Sequence, residues 1–152
     1  MKEEEKQNLF ITFQQTIDSI IKDKRKNSKN LELLNNFEAK INLGLQIEED
    51  LYFWLNLIAE EGNFVLKRGK LEEYDLVVLV VPEDLLYWLN RQNSTLHMML
   101  KKNRFGYKKF RFENGSDGKH NLGILLKLPK ALVLDKVKKS SKVCIFIFFP
   151  LF

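Results

Sequence analysis

Few side chains in this sequence are suited to acid–base or nucleophilic chemistry. It contains two histidines, His97 and His120, and one cysteine, Cys144. A histidine acts as a general acid or base when neighbouring groups orient it in a cleft. His97 precedes two methionines on a short predicted helix and His120 follows a predicted turn, positions more typical of structural histidines. Val143 and Ile145 flank Cys144, and apolar neighbours make a thiol unreactive.

The carboxylates gather in predicted turns and at helix starts, at residues 48–50, 60–61, 72–73 and 83–84. Catalytic carboxylates are held away from water beside a second titrating group, whereas turn positions are open to water. Neither the histidine and cysteine spacing of a zinc site nor a glycine-rich phosphate loop accompanies them. The sequence therefore predicts a protein that is not an enzyme and that uses no metal and no cofactor.

Composition and charge indicate what kind of domain this is and which partners it can bind. The chain has 152 residues, of which 45% are hydrophobic and 30% charged, as in a single globular domain. Its formal charge of +5 permits contact with anionic surfaces but does not require nucleic acid. The segment RFGYKKFRF interleaves cations with aromatics, as nucleic-acid platforms do. No second strand of this kind accompanies it, so we predict a solvated basic strand and no nucleic-acid partner.

The N-terminal residues, the single cysteine and the length of the apolar runs indicate the cellular compartment. The first residues, MKEEEKQN, are charged and lack the apolar core of a secretory signal. A single cysteine excludes a disulfide framework within the chain and fits a reducing cytoplasm. No apolar run approaches the roughly 20 residues that a membrane-spanning helix needs.

Hydrophobic periodicity separates helices from strands along the chain. Helical spacing of apolar residues predicts an amphipathic first helix and a short second one, and alternation from Ala39 predicts a meander of three strands. The continuous apolar run LVVLVV predicts a fourth strand. Either it lies in the centre of the sheet with both faces covered, or one of its faces meets something unusual. Two short helices, a fifth strand YKKFRFEN and a last helix stopped or kinked at Pro129 follow. Separate runs of strands and helices indicate an α+β fold.

The short helices carry a large share of the apolar side chains. Helices of about ten residues cover a sheet incompletely, so a dry cavity between the two layers is one interpretation. A completely filled core is the other, and composition alone favours it.

Several motifs, in this order, resemble the sterol carrier protein 2 family of lipid-binding domains. The strand pair INLGLQI and LYFWLNLIAEEG precedes the strand EYDLVVLVV, which Asp75 opens, and the helix DLLYWLN. A basic strand preceded by Gly106 and ended by Gly115 then leads to the helix NLGILLKL. The resemblance covers roughly residues 31–134. It implies a five-stranded, mostly antiparallel sheet with helices packed on one face, and a hydrophobic tunnel between the layers.

The function that the resemblance implies is non-catalytic binding or transfer of an acyl chain, a sterol or a similar apolar ligand. The domain organisation is then an N-terminal amphipathic helix at 1–30, a lipid-binding domain at 31–135 and a basic, then apolar tail at 136–152. The residues expected to line the tunnel are Leu85, Trp88, Leu89, Met99, Phe105, Leu122, Leu125 and Leu126.

The tail leaves alternatives open. Lysines precede the apolar run VCIFIFFPLF, a combination that favours peripheral contact with an anionic membrane surface. The run is also suited to enter the tunnel as an internal ligand or to cover the outer face of the sheet. An assembly module that uses its exposed apolar face and the tail to bind protein partners is the alternative to a lipid carrier.

Overall fold

The computed structural model describes residues 1–136. Within them lie five helices and five strands. The helices are α1 (Glu3–Arg25), α2 (Ser28–Asn36), α3 (Pro82–Leu89), α4 (Thr95–Leu100) and α5 (Leu122–Leu132). The strands are β1 (Ala39–Glu48), β2 (Leu51–Glu60), β3 (Asn63–Arg68), β4 (Leu76–Val80) and β5 (Arg111–Asn114). The predicted roles of residues 143–152 fall outside the described residues.

The strands form one sheet in the order β3-β2-β1-β4-β5. The pairs β1–β2, β2–β3 and β4–β5 are antiparallel, and only β1–β4 is parallel among the described strands. The prediction of an α+β fold with a five-stranded, mostly antiparallel sheet is therefore confirmed.

The core lies between one face of this sheet and the helices. Ile41, Leu43 and Leu45 alternate along β1 and point into it. Phe13 and Ile17 on α1 belong to the same buried cluster. The amphipathic stripe of α1 thus packs into the core of the sheet, and the proposed domain boundary at residue 30 stays a prediction.

The first helix is held at both ends. Acidic residues in its first turn and basic residues in its last turn complement the helix dipole. At its start, Arg68 of β3 donates a hydrogen bond to Glu3 and lies over the ring of Phe53. The hydrogen bond from Arg68 holds the pKa of Glu3 below its ordinary value, so acid weakens this surface contact when it protonates the carboxylate.

The outer face of the sheet is covered as well, which explains the continuous apolar run of β4. Val77 and Leu79 point away from the helices yet are buried. A Cβ at Gly44 would lie 2.6 Å from Leu79 Cδ2 and 2.9 Å from Trp54 Cη2. Any larger residue at position 44 would therefore displace the side chain of Leu79 or the Trp54 ring.

The connection from β3 to β4 completes this cover. Asn42 Nδ2 donates to Leu71 O at 3.1 Å, and Leu71 N donates back to Asn42 Oδ1 at 2.8 Å. Asn56 Nδ2 donates to Gly69 O at 3.0 Å. Two amides on the outer face thus satisfy backbone groups of a loop that crosses them.

Two elements differ in length from their predictions. The fifth strand begins at Arg111 instead of Tyr107, because Lys109 N donates to Lys101 O at 2.8 Å and residues 101–109 form a hairpin of their own. The last helix runs through Pro129 to Leu132. Proline removes one helix hydrogen bond, and burial of Leu128 and Leu132 in the core offsets that cost.

A buried lysine ties the helices together. Lys24 of α1 is 2% exposed, and its Nζ donates to Asp135 Oδ1 at 2.7 Å and to Lys130 O at 3.0 Å. Asn30 Nδ2 donates to the other carboxylate oxygen of Asp135 at 2.6 Å. The pair connects α1, α2 and the segment after α5, and a buried ammonium needs such partners.

We expect Asp135→Ala to destabilise the protein by about 2 kcal/mol, because it leaves the Lys24 ammonium buried and without its carboxylate. Lys24→Met should cost less, since it removes the charge and keeps the packed stem. Urea unfolding of both variants and of the double variant measures the coupling. Strictly additive losses would show that the two groups do not stabilise each other.

Candidate functional site

A small apolar cavity lies where the sheet meets α1, α3 and α5. Its volume is about 20 Å³, and no polar surface lines it. Every wall residue is hydrophobic: Ile17, Ile41, Leu43, Leu57, Val78, Leu85, Trp88, Leu89, Phe110, Leu128 and Leu132. A cavity of this chemistry takes an apolar guest and offers nothing to a charged one.

The side of the cavity formed by α3 is fixed by its tryptophan. Trp88 Nε1 donates to Thr95 Oγ1 on α4 at 2.9 Å. The ring of Phe110 meets the Trp88 ring edge to face, with centroids 4.9 Å apart. Leu85 and Leu89 lie on the same side of α3 because residues three and four apart share a helix face. The indole is thereby held between the apolar cavity and the polar start of α4.

The described structure is a closed form. A space of about 20 Å³ is close to the minimum that holds a single water molecule. Side chains therefore fill the layer between sheet and helices almost to normal packing density. An acyl chain enters this site only if a helix moves away from the sheet.

The structure brings together part of the predicted lining set. Leu85, Trp88 and Leu89 line the cavity. The other five lie elsewhere: Met99, Leu122 and Leu126 are 45%, 62% and 74% exposed, Leu125 packs partly buried at the edge of the core, and Phe105 is half-buried. A role for these five in contacting lipid stays a prediction and requires a rearranged form.

Sequence reasoning missed wall residues on distant elements. Ile17 comes from the N-terminal helix, Val78 from β4 and Phe110 from the residue before β5. The amphipathic stripe of α1 predicted that Ile17 is buried, but not which strands it meets.

The histidines lie away from the apolar cavity. His97 lines a polar groove of about 820 Å³ that also includes Arg91, Lys130 and Asp135. His97 Nε2 lies 3.2 Å from Lys109 Nζ, which lies 3.2 Å from Asp84 Oδ1. A lysine thus separates the imidazole from the nearest carboxylate of this cluster. His120 is exposed.

Residues 1–136 hold neither a membrane-spanning helix nor a metal cluster. No helix there is long and apolar enough to cross a membrane. No group of three or more histidine, cysteine or acidic side chains in that range has the geometry of a metal site.

We expect Leu89→Ala to enlarge the cavity and to cost about 2–5 kcal/mol of unfolding free energy, since Leu89 is fully buried in its wall. The enlarged space should bind a small apolar probe such as benzene. Leu126→Ala is the matched control on an exposed leucine and should change stability by less than about 0.5 kcal/mol. Thermal unfolding with and without benzene measures both effects, and equal losses in the two variants would contradict the assignment of the wall.

The fold resembles solved structures, although no protein-family model and no curated protein matches the chain. The sterol carrier protein domain 2 of Helicoverpa armigera superposes with a TM-score of 0.54 at 12% identity, over 80% of this chain and 89% of that one. The UbiJ-SCP2 ubiquinone synthesis protein gives 0.51 at 8% identity, over 76% and 84%. Apo sterol carrier protein 2 from Yarrowia lipolytica gives 0.50 at 11%, over 77% and 83%. The chain therefore has the fold of sterol carrier protein 2 domains, as its motifs suggested.

Proposed function

We propose that this protein binds or transfers an acyl chain, a sterol or a similar apolar ligand between its sheet and its helices, without catalysis. The observation that supports this most directly is the cavity at the junction of the sheet with α1, α3 and α5, whose lining has no polar surface. The similar solved structures include proteins named as sterol carriers, which agrees with this proposal.

Because the space between sheet and helices is almost filled in this structure, ligand binding requires a helix to move away from the sheet. Moving about a dozen CH₂ groups out of water is worth on the order of 10 kcal/mol, enough to offset the displacement of one short helix. Opening separates apolar side chains of the helix from those of the sheet, and the ligand then packs against both. Because this driving force is non-directional, we expect tolerance of ligands of different shape.

The helix α5 is the best candidate for the moving element. Its first half exposes Leu122 and Leu126, and Pro129 interrupts its hydrogen-bond ladder. Its second half carries Leu128 and Leu132, which line the cavity. Displacement of this helix would open the wall and turn the exposed leucines toward a ligand.

No catalytic step is part of the proposal. His97 contacts Lys109, which in turn pairs with Asp84, and His97 does not line the apolar cavity. The proposed location is the cytoplasm, for which the single cysteine is the supporting observation.

A protein assembly module remains the second candidate. The observation that favours it is the near-filled interior together with exposed leucines on α4 and α5. A module of this kind would change size with protein concentration and would bind no acyl probe.

A cavity-filling substitution tests the carrier proposal. Val78 lines the cavity, so Val78→Ile should place a methyl group there, raise stability by up to about 0.8 kcal/mol and weaken binding of a fluorescent fatty acid. Val77→Ile is the matched control, because Val77 is as buried as Val78 but faces the other side of the sheet. Fluorescence titration measures probe affinity, and unfolding in urea measures stability.

Two results would count against the carrier. Equal probe affinity in the wild type and in both variants would place the probe outside the cavity. No probe binding at all, together with concentration-dependent mass in light scattering, would favour the assembly module.

A further inference from the structure

The side of α4 that faces away from the core is apolar and exposed. Leu96, Met99 and Leu100 are 66%, 45% and 57% exposed. Their spacing of three and four residues places them on one helix face. The same helix is anchored on its opposite face by Met98, which is fully buried. A rigidly held row of exposed apolar side chains of this kind marks an interaction surface.

Lysines surround this row. The hairpin at 101–109 is closed by Lys109 N donating to Lys101 O at 2.8 Å and by Asn103 N donating to Tyr107 O at 2.7 Å. It brings Lys108 back beside α4, where its Nζ donates to Leu100 O at 3.0 Å. Lys101 and Lys102 follow the helix directly and are exposed.

The charge of this region is not neutralised locally. The sequence from Leu96 to Lys109 contains five lysines and arginines and no acidic residue. Arg104 pairs with Glu83 and Lys109 with Asp84. Among residues 1–136, Lys101, Lys102 and Lys108 form no ion pair with any carboxylate. Three cations at the edge of the apolar row therefore have no carboxylate partner among the described residues.

We propose that this surface, formed by Leu96, Met99, Leu100, Lys101, Lys102 and Lys108, docks on an anionic lipid bilayer. The apolar side chains enter the interface between headgroups and acyl chains, and the lysines contact anionic headgroups while their stems follow the apolar boundary. The surface is separate from the interior cavity, so its docking does not depend on the proposed lipid binding inside the protein.

The positive charge of this surface distinguishes among the partners that could cover it. Lysine is depleted at protein–protein interfaces relative to the rest of the surface. A symmetric contact with a second copy would place these lysines against themselves. The chain's own tail carries Lys136, Lys138, Lys139 and Lys142 before its apolar run, so it brings like charge to the same place. An anionic bilayer supplies both the apolar phase and the opposite charge.

Neutralising the lysines tests the electrostatic part. Each lysine near an anionic membrane strengthens binding about fivefold, so Lys101→Gln with Lys102→Gln should weaken binding of the full-length protein about 25-fold. Co-sedimentation with phosphatidylcholine vesicles, with and without phosphatidylserine, measures this. Lys26→Gln with Lys29→Gln removes the same charge from two exposed lysines at the α1–α2 connection and should change binding much less.

Depth-dependent quenching tests the apolar part. Brominated lipids quench a tryptophan that enters the bilayer. The variant Leu100→Trp should be quenched by brominated anionic vesicles well beyond the wild-type signal, which comes from Trp54 and Trp88. The matched control, Val65→Trp, places the probe at an exposed residue of the edge strand β3 and should show only the wild-type level.

Three results would overturn the proposal. They are equal losses from the two lysine pairs, quenching at position 65 without quenching at position 100, and a change of oligomeric state in Leu100→Ser with no change in vesicle binding. Fatty-acid titration without vesicles is run on the same variants. A protein that docks but binds no fatty acid contradicts only the interior function, and a protein that binds fatty acid but does not dock contradicts only the surface proposal.

Discussion

One constraint governs this structure: the layer between the sheet and its helices is both the core of the fold and the place of its fully apolar cavity. The side chains that exclude water from the core, such as Leu85, Leu89 and Val78, are the ones that line the cavity. Any ligand bound there replaces core packing with its own. The packing that stabilises the fold therefore also limits the room for a ligand, and it leaves a space of about 20 Å³.

The two faces of the sheet are covered by different kinds of contact. On its outer face the Trp54 ring packs against Gly44 and Leu79, and the loop after β3 is bound to Asn42 and Asn56 through their side-chain amides. Those polar bonds are directional and cannot be exchanged for contacts with a hydrocarbon. On the helix face, the contacts around the cavity are non-directional and apolar, and a hydrocarbon can replace them. The polar bonds of Lys24 there join helices to one another. We therefore expect a ligand to be accommodated on the helix face of the sheet and not on its outer face.

Trp88 connects the interior with the surface. Its ring lines the cavity, its Nε1 is bonded to Thr95 at the start of α4, and Phe110 packs against it just beyond the 101–109 hairpin. A shift of α4 at a membrane would therefore move the Trp88 side chain and with it the cavity wall. This gives the proposed docking surface and the proposed binding site a physical link, although each is tested separately.

The sequence by itself determined the helix and strand types, the inward stripe of α1, the alternation along β1 and the position of Asp75 at the start of β4. The stripe and the alternation follow from periods that hold over many residues, whereas β4 follows from a continuous apolar run. Three of the eight lining residues that the family resemblance implied, Leu85, Trp88 and Leu89, line the cavity. Tertiary structure alone decided the rest. On α4 the spacing of Leu96, Met99 and Leu100 defines one apolar face, but the structure buries Met98 on the opposite face. Along α5, apolar side chains occur on more than one side. The buried face of each helix depends on packing partners that are distant in the chain, such as Ile17 and Phe110. In that packing Met99, Leu122 and Leu126 remain exposed.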